Sequence, residues 1–325
     1  MDPKSFFRIK NSQEFSSISL DVFRYQYKHN LVYHEFCDLL GVNADKVTRL
    51  EDIPFLPIEF FRTKQVISTT KEATTVFSSS GTTASNTSKH YVAQLNLYEQ
   101  SFRSGFELFY GNVKDYCILA LLPSYLEREG SSLVYMVNDL IQRSDHPESG
   151  FYLNDQEVLA NKLRRLDAAG ERILLIGVSF ALLDMAERGS FQLRNTIIME
   201  TGGMKGRRKE LIREELHEKI QLGFGVSRVH SEYGMTELLS QAYSSGHGIF
   251  NTPPWMKVLI RDTEDPFRWQ PKGRSGGVNI IDLANVYSCS FLATQDLGKR
   301  REDGSFEILG RFDHADIRGC NLMVL

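Results

Sequence analysis

The sequence predicts an α/β fold in which mixed and parallel sheets are flanked by helices. From Tyr116 onward, short apolar runs of strand length alternate with helical periods, an arrangement typical of βαβ units. The clearest helix covers about 207–222, where Ile212, Leu216 and Ile220 recur every four residues and charged side chains occupy the other faces. The predicted strands are residues 116–122, 172–177, 196–199 and 278–283.

The composition limits the kinds of molecule that the protein is expected to bind. The chain has 325 residues and a formal net charge of −3, so no basic field favours nucleic acid or an anionic membrane surface. A small-molecule or protein substrate is therefore expected. Residues 1–65 have the pattern of a helical entry region packed on a core of residues 66–325, and the Pro/Gly-rich stretch 253–277 is a possible subdomain boundary.

The cysteines and the apolar runs indicate the compartment. The four cysteines form no C-x-x-C pair, and the first residues lack the apolar core of a signal peptide. No apolar run approaches the roughly 20 residues that cross a bilayer. We therefore expect a cytoplasmic protein without a membrane span.

A Ser/Thr-rich loop at 77–90 is the most distinctive local feature. Eight hydroxyl side chains surround one glycine, and a lysine follows near the end. Backbone N–H groups and hydroxyls of such a loop can face an anion, and a lysine adds a compact cation. The spacing is not that of a P-loop. The pattern favours polyphosphate binding, with a flexible linker as the alternative. The candidate residues are Ser79, Ser80, Gly81, Thr82, Thr83 and Lys89.

This loop resembles the phosphate loop of the adenylate-forming superfamily, which includes acyl-CoA synthetases, luciferases and peptide synthetase adenylation domains. That superfamily usually has Gly-x-Pro-Lys-Gly after the threonines, whereas this chain has Ala84, no proline, and His90 after the lysine. Downstream, the pair Gly202 and Gly203 resembles the glycines against which the adenine lies. Glycines suit this role because they let a flat ring approach the backbone.

The stretch Tyr233-Gly234-Met235-Thr236-Glu237 is close to the superfamily's Tyr-Gly-x-Thr-Glu. The resemblance implies that Tyr233 stacks on adenine, that Thr236 meets the α-phosphate of ATP, and that Glu237 holds Mg2+. A carboxylate is a hard oxygen ligand that suits this ion beside phosphates. Without the resemblance, Glu237 is equally well explained as an acid at a helix start.

Two further motifs follow in the superfamily's order. Residues 293–298 resemble Thr-Gly-Asp-Leu-Gly, whose aspartate receives the ribose hydroxyls; Asp296 matches it, although Gln295 replaces the usual glycine. Residues 310–319 resemble the hinge signature, in which the arginine, here Arg311, contacts the nucleotide. The resemblance implies the N-terminal-domain fold of the superfamily, without most or all of its C-terminal lid domain.

The chain's last residues resemble acyl-protein synthetases of the bacterial lux type, which load a fatty acyl group onto their own C-terminal cysteine. Carried onto this chain, the acceptor is Cys320, nine residues after Arg311. The implied substrates are ATP and a carboxylic acid, expected to be a fatty acid, and the implied partner is an acyl reductase. A thiolate attacks an acyl-adenylate readily, and a small buried hydrophobe is the structural alternative for this cysteine.

Two other functions stay open at this level. Residues 177–181 lie between an apolar strand and a helical pattern, the context of a G-x-S-x-G nucleophile elbow, so a serine hydrolase or acyltransferase using Ser179 is one alternative. That serine is also a candidate helix N-cap. The other alternative is a non-catalytic nucleotide-binding relic of the fold.

Overall fold

A computed structural model of the chain describes residues 2–79, 87–123, 128, 130–202 and 211–311. The chain forms two units, one made of Met1–Glu72 together with Pro254–Leu325 and the other of Ala73–Pro253. The N-terminal segment thus belongs to the same unit as the last part of the chain. The division into residues 1–65 and 66–325 stays a prediction.

The regular elements of the described residues are numbered along the chain. The α-helices are α1 (Ser12–His29), α2 (Leu31–Leu39), α3 (Phe60–Thr63), α4 (Leu95–Tyr110), α5 (Ser132–Ser144), α6 (Gln156–Ala168), α7 (Ser179–Arg188) and α8 (Arg213–Phe224). The strands are β1 (Leu56–Pro57), β2 (Thr75–Ser78), β3 (Lys89–Val92), β4 (Cys117–Leu121), β5 (Gly150–Phe151), β6 (Ile173–Gly177), β7 (Thr196–Glu200), β8 (His230–Tyr233), β9 (Ala242–Ser244), β10 (Ile249–Asn251), β11 (Met256–Arg261), β12 (Ser275–Asp282), β13 (Phe291–Arg300) and β14 (Phe306–Arg311).

The second unit contains the predicted parallel sheet. Its strand order is β10-β9-β8-β7-β6-β4-β5; the strands from β8 to β5 pair in parallel, and β9 and β10 pair antiparallel. Every residue of β4 and β6 is buried, which explains their continuous apolar sequence, since parallel strands are usually covered on both faces. Helices α7 and α8 contribute to this core. The predicted α/β fold is confirmed.

The predicted helix at 207–222 corresponds to α8, which covers Arg213–Phe224. The first residues of the prediction lie outside the described part of the chain. The buried face includes Leu216 and Ile220, as the four-residue period requires, whereas Ile212 stands just before the helix and is exposed. A separate hairpin of β2 and β3 also belongs to this unit.

The first unit has a mixed sheet with a mainly antiparallel order. Strands β11, β12, β13 and β14 pair antiparallel in sequence order, and β1 adds to β13 in parallel. The predicted strand at 278–283 lies in this sheet as part of β12, not in a parallel βαβ unit. The reason is local: no helix lies between β11 and β12, and a parallel return usually needs a helical crossover.

Buried amides tie the N-terminal helices to the late part of the same unit. The Gln26 side chain donates to the carbonyl oxygens of Asn285 (3.1 Å) and Val286 (2.8 Å). The Asn30 amide, which also caps α2, donates to the carbonyl of Ser288 at 2.9 Å. These bonds satisfy backbone carbonyls of the segment between β12 and β13. Among the described helices, none is both long and apolar enough to cross a membrane.

Candidate active site

Two of the predicted motifs leave the same edge of the parallel sheet. Strand β7 ends at Glu200 and leads to Gly202, while β8 ends at Tyr233 and leads to the turn bearing Glu237. Because β7 and β8 are parallel neighbours, their carboxyl ends are adjacent, the usual place for ligands in α/β sheets. Gly202 has φ +69° with open space where a Cβ would stand. Glycine therefore suits this position because of the positive φ, and not because a side chain would lack space.

The turn after β7 is held by a buried carboxylate that the sequence did not single out. Glu200 is 6% exposed; its Oε2 accepts from the Ser179 hydroxyl at 2.7 Å and from the Gly202 N–H at 2.9 Å. His217 Nε2 lies 3.6 Å from Oε1. Burial acts to raise the pKa of Glu200, but the interactions with His217, Ser179 and the Gly202 N–H lower it to about 2.

The next strand carries a carboxyl with the opposite behaviour. Glu232 is buried beside Glu200, and burial followed by the charge of Glu200 raises the pKa of Glu232 to about 8. A Cβ added at Gly234 would lie 2.5 Å from Glu232 Oε1, so this carboxyl lies against the start of the Tyr-Gly turn. Adjacent strand ends thus hold one ionised and one neutral carboxyl group at neutral pH.

The structure places Ser179 in a setting unsuited to the nucleophile elbow. It is 2% exposed and donates to a carboxylate, whereas a serine nucleophile needs a base to accept its proton and access to substrate. The N-cap interpretation of Ser179 is wrong: Val178 holds the N-cap position and Ser179 is the first helical residue. Its hydroxyl instead helps to fix the turn after β7.

A hydrogen bond joins the strand after the phosphate loop to the Tyr-Gly-Met-Thr-Glu turn. His90 Nδ1 lies 2.8 Å from the carbonyl oxygen of Thr236. Because a carbonyl only accepts, Nδ1 carries the hydrogen in this contact. His90 is buried while the preceding Lys89 is exposed, as the two-residue period of a strand requires. The histidine that stands in place of the superfamily's glycine therefore links two motifs 146 residues apart.

The surroundings of the other predicted site residues in the second unit are as follows. The hydroxyl of Ser79 accepts a hydrogen bond from the Ser88 N–H at 2.9 Å, and this bond joins the two ends of the Ser/Thr-rich loop. Tyr233 is half-buried, with its ring centroid 5.9 Å from that of Phe250. Glu237 is 6% exposed. The predicted residues Ser80, Gly81, Thr82, Thr83, Gly203 and Cys320 lie outside the described residues.

Within the first unit, the structure brings Asp296 and Arg311 together. They are directly opposed on β13 and β14, and Arg311 Nε donates to Asp296 Oδ1 at 3.0 Å. The aspartate side chain is 9% exposed and the arginine side chain 54%, so a half-exposed guanidinium lies against a buried carboxylate. The unexpected Gln295 donates to Glu59 Oε1 at 2.6 Å, a contact that ties this motif to the N-terminal segment.

The fold is that of adenylate-forming ligases. An open conformation of 2-hydroxyisobutyryl-CoA ligase in complex with 2-HIB-AMP and CoA has a TM-score of 0.66 at 14% identity, over 93% of this chain and 70% of that chain. ATP-bound MatB from Rhodopseudomonas palustris has a TM-score of 0.54 at 20% identity, over 73% of this chain and 47% of that chain. At these identities the likeness establishes the fold alone.

The chain belongs to the acyl-protein synthetase family, LuxE, whose model matches residues 2–325. It is 25% identical over 346 residues, 98% of this chain and 89% of the relative, to the long-chain-fatty-acid–luciferin-component ligase of Vibrio harveyi. A protein of the same name from Photorhabdus luminescens is 39% identical over 64 residues, 19% of this chain and 54% of that protein. The protein is thus an ATP-dependent ligase of the adenylate-forming class.

Proposed function

We propose that this enzyme activates a fatty acid as an acyl-adenylate and then transfers the acyl group to the thiol of Cys320. The observation that carries the first step is the 2.8 Å contact between His90 and Thr236, because it joins the strand bearing Lys89 to the turn bearing Glu237. The name of the Vibrio harveyi relative supports a long-chain acid. The family's description as acyl-protein synthetases supports a protein acceptor.

In the proposed first step, a carboxylate oxygen of the acid attacks the α-phosphorus of ATP and the bond to pyrophosphate breaks. The Thr236 hydroxyl and the Lys89 ammonium stabilise the negative charge on the phosphate oxygens. The Glu237 carboxylate fits Mg2+, because it is a hard oxygen donor, 6% exposed, on the same turn as Thr236. When bound, Mg2+ neutralises phosphate charge.

The nucleoside is assigned to the remaining motif residues. Tyr233 stacks on the adenine, and Gly202 and Gly203 give the ring access to the backbone. Asp296 accepts the ribose hydroxyls, since an ionised carboxylate can take two donors at once. Arg311 contacts the nucleotide, and its half-exposed guanidinium retains donors beyond the one that it gives to Asp296.

The chemistry of the other cysteines supports Cys320 as acceptor. Burial raises the pKa of the Cys37 thiol to about 12 and that of Cys117 to about 11, and burial also raises the pKa of Cys289. Each is a buried thiol at neutral pH, whereas attack on an adenylate requires a thiolate. In the proposed second step the Cys320 thiolate attacks the acyl carbon and AMP leaves, giving a thioester for an acyl reductase partner.

The first half-reaction is tested by ATP–pyrophosphate exchange with a series of fatty acids and aryl acids. We expect exchange with fatty acids, and we expect Glu237→Gln to abolish it in a folded protein, because the change removes charge from the Mg2+ site at constant volume. Glu218→Gln, on the exposed face of α8, is the matched control. AMP binding without exchange for any acid would favour the nucleotide-binding relic.

The acceptor is tested separately by mass analysis of the protein after incubation with ATP, Mg2+ and the active acid. We expect a hydroxylamine-sensitive acyl group on the C-terminal peptide, which Cys320→Ser removes while exchange survives. Cys117→Ala, which alters a buried thiol, should keep the label. Turnover with coenzyme A and an unlabelled protein would refute self-acylation and leave only the adenylate-forming step.

A further inference from the structure

Arg261 is a buried cation that crosses the sheet of the first unit toward the strand of Asp296. It is 8% exposed and ends β11. Its guanidinium donates to the Val278 carbonyl at 2.9 Å, to Asn279 Oδ1 at 2.6 Å and to the Thr294 carbonyl at 2.6 Å. One side chain on β11 therefore binds both β12 and β13.

These bonds fall where the ladder between β12 and β13 is interrupted. Gly277 pairs with Leu297 and Asn279 pairs with Ala293, so an advance of 2 residues on β12 (279 − 277) matches 4 on β13 (297 − 293). The motif residues 294–296 consequently bulge out of the ladder. Bulges beside functional sites re-aim side chains, and here the bulge carries the aspartate proposed to bind ribose.

The sequence makes room for the guanidinium at one position. A Cβ added at Gly277 would lie 2.5 Å from Arg261 Cζ and 2.8 Å from its Nε, which no ordinary contact allows. The Thr294 hydroxyl completes the link, because it donates to the Val278 carbonyl at 2.9 Å and accepts from the Asp296 N–H at 3.1 Å. The path from Arg261 to the backbone of Asp296 thus runs through Thr294.

The guanidinium of Arg261 stays charged at neutral pH even though burial disfavours the charged form. Burial lowers the pKa of Arg261 to about 10, while the carboxylates of Glu59 and Asp296 act to raise it. The group therefore remains protonated at neutral pH. A positive charge held beneath the bulge attracts both carboxylates, which opposes rotation of the Asp296 side chain away from the sheet.

We propose, building on the proposed function, that Arg261 is a positioning residue for nucleotide binding that holds the bulge and presents the Asp296 carboxylate to the ribose hydroxyls. Arg261 then affects the binding affinity only of ligands that carry the ribose hydroxyls. A residue that only stabilises the fold would change the affinity for every nucleotide alike.

Calorimetry with AMP and with 2′,3′-dideoxy-AMP separates these roles. We expect the wild-type chain to prefer AMP by about tenfold or more, the effect of hydrogen bonds to a charged acceptor. Arg261→Met should reduce this preference to near unity and leave the dideoxy-AMP affinity unchanged. Arg268→Met, an exposed arginine of the same unit, should behave as wild type.

A second variant keeps the test decisive if Arg261→Met does not fold. Gly277→Ala retains the arginine but displaces its guanidinium, and it should lower the preference for AMP in the same way. A folded variant that retains the full preference, or that weakens both nucleotides equally, overturns the positioning role. A wild-type chain with no preference for AMP would instead refute the assignment of Asp296 in the proposed function.

Discussion

Replacing Glu232 by Gln should change how the stability of the enzyme depends on pH. Glu232 is buried next to Glu200, and burial and that charge raise its pKa from 4.5 to about 8. The folded protein therefore keeps a proton that the unfolded chain releases near pH 4.5. Glutamine has nearly the same shape as the protonated acid but does not titrate, so the Glu232→Gln variant isolates the contribution of this proton.

The sign follows from proton linkage. Between the two pKa values the folded state binds more protons than the unfolded state, so the free energy of unfolding decreases as pH rises. One pKa unit corresponds to about 1.4 kcal/mol, and the three units from pH 5 to pH 8 therefore correspond to roughly 4 kcal/mol. This contribution is complete below the unfolded pKa and is lost as pH rises through the folded value.

Urea unfolding of wild type and Glu232→Gln at half-unit steps from pH 5 to pH 8.5 measures this difference. We expect the variant to gain stability relative to wild type by roughly 4 kcal/mol over three pH units. Infrared difference spectra should show a protonated carboxyl at pH 7 that the variant lacks. Glu218→Gln, on an exposed helix face, is the control. A stability difference that stays constant across this pH range would refute a raised pKa for Glu232.

Two further substitutions test contacts that join distant segments. His90→Leu removes the bond to Thr236 and should raise the KM for ATP in pyrophosphate exchange by about tenfold. His90→Asn keeps a hydrogen-bond donor, so its KM for ATP should lie between those of wild type and His90→Leu. Equal KM values for the two variants would contradict a linking role of His90. Asp167 accepts from the backbone N–H groups of Arg194 and Asn195 and from the Thr196 hydroxyl. Asp167→Ala should lower the free energy of unfolding by about 3 kcal/mol, measured by urea denaturation, without changing AMP affinity; unchanged stability would show that water replaces the carboxylate.

The elements that the sequence predicted well are those with a local cause. The strands at 172–177 and 196–199 were recognisable because a parallel strand covered on both faces has a continuous apolar sequence. The buried stripe of α8 follows from its four-residue period. The place of Gly202 after a strand is likewise a local pattern, and its φ of +69° explains why glycine occurs there.

Contacts between segments far apart in the chain left no comparable signal. Gln295 looked like a defect in a motif, but the structure pairs it with Glu59, 236 residues away. His90 likewise departed from the superfamily pattern, and its partner Thr236 is 146 residues away. A single sequence does not encode such pairings in any local period, because a hydrogen-bonding side chain has the same appearance whether its partner is water or a distant carbonyl.

The two carboxyl groups at the ends of β7 and β8 show how charge is arranged beneath the proposed phosphate site. Glu200 is ionised and has its own donors, and one of these, the Gly202 N–H, belongs to the turn itself. If Glu232 were also ionised at neutral pH, two negative charges would lie at the adjacent ends of β7 and β8, where β8 leads into the Tyr233–Glu237 turn that is proposed to contact the phosphates. A neutral Glu232 halves that charge. This reduction matters because like charges in a low dielectric repel strongly. The proton that makes stability decrease with pH thus also limits the repulsion that an incoming polyanion would meet.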